Sequence, residues 1–134
     1  MARSASAPTI DGMTFEILAY VMTLAGCVLG FRFVFAGASV LKEWALAPTP
    51  EALVVCRRLG AIYLGIALMF FAGRGAPPSA LRSAICLGMG AAVALLALLG
   101  LYERWAKRVG PRIFVASTTE LVLAVCLVWM ARSE

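Results

Sequence analysis

Ala80–Tyr102 reads ALRSAICLGMGAAVALLALLGLY, and no charged residue stands between Arg82 and Glu103. A helix needs about 20 residues to cross some 30 Å of hydrocarbon, and this run supplies them. It lacks the period-two alternation of a strand in a membrane barrel. Three segments of the same kind lie around it. Residues 14–42 are interrupted by Glu16 and Arg32, 52–73 carry Arg57 and Arg58 near their start, and 112–131 contain Glu120. The prediction is an all-α, integral membrane, antiparallel four-helix bundle with transmembrane helices over 14–42, 52–73, 80–102 and 112–131. Residues 1–13, MARSASAPTIDGM, are small and polar and are expected to form a loose tail rather than a signal peptide.

Composition agrees. The chain has 134 residues, 63% hydrophobic and 14% charged, with a mean hydropathy of +0.94. Soluble domains carry roughly 45–50% apolar and about 25% charged residues. So few charges cannot cover the surface of a soluble fold, and disorder needs low hydrophobicity. There is no histidine, so the commonest general base and metal or haem ligand is missing. Cys27, Cys56, Cys86 and Cys126 form no CxxC pair and read as small apolar side chains, one per helix. No catalytic residue, metal or cofactor is expected. The net charge of +5 points to anionic lipid headgroups rather than nucleic acid, because the basic residues sit mostly in short connections.

Those connections are KEWALAPTPE (42–51), RGAPPS (74–79) and ERWAKRVGP (103–111). Proline ends one helix and fits the first turn of the next. Links this short make neighbouring helices antiparallel. Both termini then share side A with link 74–79, and the other two links share side B. Lys42, Arg104, Lys107, Arg108 and Arg112 outnumber the basic residues of side A, which predicts side B in the cytoplasm and both termini outside. Trp44, Trp105 and Trp129 fall at helix ends, as in an aromatic belt. The two side-B links share a Glu–Trp–Ala–Pro pattern, which fits either a duplicated hairpin or convergent interface chemistry.

Small residues let membrane helices approach closely. Gly26 and Gly30, Ala61 and Gly65, and Ala84, Gly88 and Ala92 each share a helix face. Packing inside the bundle is the preferred reading, and a homo-oligomer or larger membrane complex is the other.

Charges at membrane depth are costly and usually face a partner inside the bundle. At 1.5 Å per residue, Arg32 lies ~14 Å, Arg58 ~10 Å and Glu120 ~12 Å from the side-B ends of their helices. Such a level fits a pocket for a polar or anionic head, with Tyr63 as a further lining residue. A structural salt bridge that sets register is the preferred reading of the same level. Ser117–Glu120 reads STTE, a capping-box pattern, but a helix starting there is too short to span, so Pro111 is the better start.

Arg57–Leu68, RRLGAIYLGIAL, resembles the second helix of small bacterial DoxX-like membrane proteins of the DUF4345 type. The matching positions are Arg57, Gly60, Ala61, Tyr63 and Leu64, with Glu120 matching a glutamate early in the last helix. The resemblance covers the last three helices and implies a four-helix bundle in the plasma membrane, with no activity attached. The expectation is a scaffold or accessory subunit without catalysis. The alternatives are binding or transport of a lipid-like or small anionic ligand by Arg32, Arg58, Glu120 and Tyr63, and an enzyme using Glu120.

Overall fold

The computed structural model describes residues 10–133 and consists of α1 (Ile10–Phe35), α2 (Gly37–Glu43), α3 (Pro50–Gly73), α4 (Ala80–Trp105) and α5 (Ile113–Arg132). It is all-helical, and α1, α3, α4 and α5 are long and apolar enough to cross a membrane. Most of the expected tail lies outside the described residues, and Ile10–Met13 belong to α1.

Local chemistry sets most boundaries. Thr49 caps α3 by accepting the Ala52 N–H at 3.3 Å, and Pro50 occupies the first helical turn, where its missing N–H is harmless. Ser79 caps α4 by accepting the Arg82 N–H at 3.2 Å. Helix α5 begins soon after Pro111 and runs through Ser117–Glu120, which removes the capping-box start. Thr119 instead donates its hydroxyl back to the Val115 carbonyl at 2.9 Å.

The first predicted helix, 14–42, is not continuous. It breaks at Ala36, where φ is −125° and ψ is 29°. The Ala36 N–H still reaches the Arg32 carbonyl, and the next rungs run from Ser39 and Val40 to the Ala36 carbonyl. Gly37 follows, a poor helix former pressed against α3. A Cβ there would lie 3.1 Å from the Cys56 Cβ. Bending at this point folds Val40 and Leu41 into a core with Phe33 and Cys56.

Two hairpins result. Helix α1 packs along α3, and α4 along α5. Each pair is closed by glycine. A Cβ on Gly26 would meet Ala67 Cβ and the Tyr63 carbonyl oxygen, both at 2.9 Å, and one on Gly60 would meet the Gly30 carbonyl oxygen at 2.8 Å. Gly90 and Gly100 accept Val128 and Ser117 of α5 in the same way. Gly26 and Gly30 thus pack within the chain. Ala61, Gly65, Ala84, Gly88 and Ala92 instead face outward, and nothing lies within 4 Å of the Cβ positions of Gly65 and Gly88.

The hairpins meet along a different kind of surface. Phe15, Leu18, Ala19 and Met22 of α1, Phe70 of α3, Cys86 of α4 and Leu127 and Met130 of α5 form one buried cluster. These residues come from the side-A ends of four helices, as the antiparallel order requires. The side chains are mostly bulky, so this seam is wider than either glycine-closed pair.

Both side-B turns close alike. After α2, the Ala45 N–H bonds to the Lys42 carbonyl and the Leu46 N–H to the Leu41 carbonyl. After α4, the Lys107 N–H bonds to the Arg104 carbonyl and the Arg108 N–H to the Glu103 carbonyl. Each is a Schellman motif, and each places a non-glycine residue in the left-handed region, Ala45 at φ 61° and Lys107 at φ 58°. The Gly110 N–H joins the turns by bonding to the Trp44 carbonyl at 2.8 Å. Trp105 and Trp129 are exposed, as belt residues are, but Trp44 is half-buried edge-on to Phe33.

Candidate functional site

The seam holds the groups of chemical interest. At its side-A end Arg82 is 4% exposed, the one charged residue among the buried side chains described. Its guanidinium lies 4.3 Å from the Phe15 ring centroid, and Nη1 donates to the Ala76 carbonyl at 2.8 Å. Arg82 thereby ties α4 to α1 and to the 74–79 link. The cation–π contact gains strength where water is excluded.

Beside Arg82 is a cavity of about 210 Å³, walled by Phe15 of α1, Met69 and Phe70 of α3, and Leu81 and Ile85 of α4. Its walls are almost wholly apolar. Arg82 stands in the first turn of α4, at the end of a helix long and apolar enough to span a membrane. The chamber therefore sets a buried cation beside an apolar recess.

By sequence, Arg82 is one of the basic residues at the side-A ends of the helices. One signal was present: a cation in the first turn opposes the helix dipole, so its position needs a tertiary reason. Phe15 and Ala76 supply it.

The residues expected to converge do so only in part. Arg32 bonds through Nη2 to Glu43 Oε1 at 2.6 Å, across the α1–α2 break. The carboxylate that partners Arg32 is thus Glu43, not Glu120. Arg58 is exposed on the outside of α3, so it is not an interior member of a cluster. Its neighbour Arg57 is exposed too. Tyr63 is half-buried and stacked on Phe33, with centroids 5.7 Å apart and planes 5° from parallel. Glu120, half-buried on α5, lies within electrostatic reach of Tyr63. Arg32, paired with Glu43, and Arg58, exposed, do not join Tyr63 and Glu120 in one cluster.

The cysteines are free thiols; Cys56 and Cys86 are buried, Cys27 and Cys126 half-buried. Ser117 is buried against Gly100, and its hydroxyl has no hydrogen-bond partner in the structure. Comparison with family models, curated proteins and solved structures finds no match.

Proposed function

We propose that the chain is a non-catalytic, multi-pass membrane protein that holds a lipid-like anionic amphiphile at the side-A end of its seam. The observation that carries this reading is Arg82, buried beside an apolar chamber of about 210 Å³. A guanidinium offers forked donors to a phosphate or carboxylate, and the recess offers hydrocarbon contact to the attached chain. The two needs of an amphiphile are met by adjacent groups at interfacial depth. Arg82 takes the headgroup role that the alternative reading of the sequence gives to Arg32 and Arg58.

The test is thermal stabilisation of purified protein in neutral detergent by a single-chain lysophosphatidic acid. Wild type is expected to be stabilised, and less so by the matching lysophosphatidylcholine. Arg82→Gln removes the head contact, and Met69→Trp fills the recess while keeping the cation. Both variants are expected to lose stabilisation while remaining helical by circular dichroism. If Met69→Trp keeps the full response, the reading is wrong, and a purely structural role for Arg82 in an accessory subunit takes its place.

A further inference from the structure

The break between α1 and α2 opens a second cavity, of about 220 Å³, at the other end of the molecule. Phe35, Gly37 and Ala38 of the broken segment form one wall, and Leu53 and Arg57 of α3 form the other. Unlike the side-A chamber, its lining is polar and apolar in similar measure, and the polar side chain present is Arg57. Arg57 stands about two turns into α3, ~10 Å from the start of that helix. A cation at that depth is costly unless an anion or water reaches it. Among the described residues no carboxylate pairs with Arg57. Glu43, the nearest acidic residue of α2 in sequence, is already bonded to Arg32. Phe35, 80% exposed beside the cavity, adds an apolar surface.

We propose that this groove is a binding site for the phosphate of an anionic phospholipid, held by Arg57, with the acyl chain lying over Phe35. The membrane itself supplies the occupant, and the charge and depth select it. A phosphodiester drawn slightly inward meets the guanidinium, while its chains stay in hydrocarbon. The helix break creates the site, because a continuous helix through Ala36 would carry the segment past α3 without opening a groove. Arg104, Lys107 and Arg112 on the side-B turns raise the local concentration of anionic lipid. The site is separate from the Arg82 chamber and does not depend on it.

Native mass spectrometry of the full chain, exchanged into detergent with defined phosphatidylglycerol or phosphatidylcholine, tests this. Beyond any lipid held in the side-A chamber, one phosphatidylglycerol is expected to be retained in preference to phosphatidylcholine. Arg57→Gln should weaken retention about fivefold, the loss of one basic contact at an anionic surface. Ala38→Phe, which fills the groove and leaves the charge, should do the same. Arg58→Gln should leave retention within about twofold. Equal losses in Arg57→Gln and Arg58→Gln would mean general attraction to a basic surface and overturn the proposal. So would unchanged retention in Ala38→Phe, or equal retention of phosphatidylcholine. An Arg82→Gln control separates this site from the side-A chamber, because its loss there should leave phosphatidylglycerol at Arg57 in place.

Discussion

Gly60 and Gly65 lie on the same helix, five residues apart, and have opposite surroundings. A Cβ on Gly60 would press against the Val34 side chain and, at 2.8–2.9 Å, against backbone atoms of Gly30 and Val34, which cannot move aside singly. Nothing lies within 4 Å of a Cβ on Gly65. Gly60→Ala is therefore expected to destabilise the protein by about 1–3 kcal/mol through overpacking. Gly65→Ala should be neutral or stabilising by up to about 1 kcal/mol, the helix-propensity difference. Unfolding in mixed micelles measures both, and similar losses at the two positions would contradict the packing described. Arg82 makes a related point. Its burial follows from Phe15 and Ala76, residues distant in the chain or set in an irregular link, and no periodicity in α4 announces them.

The helices end where capping and turn chemistry stop them, and two of those ends carry strain. Lys107 occupies the left-handed region at φ 58°, a conformation that favours glycine. Its side chain is exposed, so little packing is lost on truncation. Lys107→Gly is expected to stabilise the protein by about 1 kcal/mol, the cost of left-handed backbone for a residue with a Cβ. Ala106→Gly, one residue earlier at φ −71°, gains no such relief and should be neutral or mildly destabilising. Thermal denaturation in one detergent compares the pair. The shared Schellman geometry at Ala45 and Lys107 also gives the resemblance between the two side-B links a structural counterpart. Any helix that ends in a tight turn can use this motif.

In the assembled molecule, close glycine packing lies within each hairpin, and bulkier side chains lie between them. In lipid there is little hydrophobic drive between helices, so close van der Waals contact decides which pairs are tight. The hairpins should therefore behave as separate units joined by a weaker seam. Co-expressed halves, divided in the 74–79 link, are expected to reassemble and co-purify. Leu127→Ala, which removes a fully buried side chain from the seam, should reduce co-purification. If neither half inserts unless the link is intact, the division into two units is wrong. A seam of this kind suits a chamber at one end, since bulky side chains meeting without glycine leave gaps beside them.

The number of spans, their antiparallel order and the proline-marked links were legible in the amino-acid sequence, because crossing a membrane demands long apolar runs and short links leave few topologies. The break at Ala36 was not, because Phe35, Val40 and Leu41 keep the run apolar on both sides and composition does not register a bend. Counting residues along each helix puts Arg32, Arg58 and Glu120 near one level, but for Arg32 that count runs through the break at Ala36. Direction around the axis did not follow, because it depends on which face the partner helix covers. Tertiary packing turned Arg58 outward, gave Arg32 to Glu43, set Glu120 near Tyr63 and buried Arg82 beside the chamber. Length and hydropathy are local properties that the chain carries in order. The choice of partner for each charge is settled only when helices distant in that order meet.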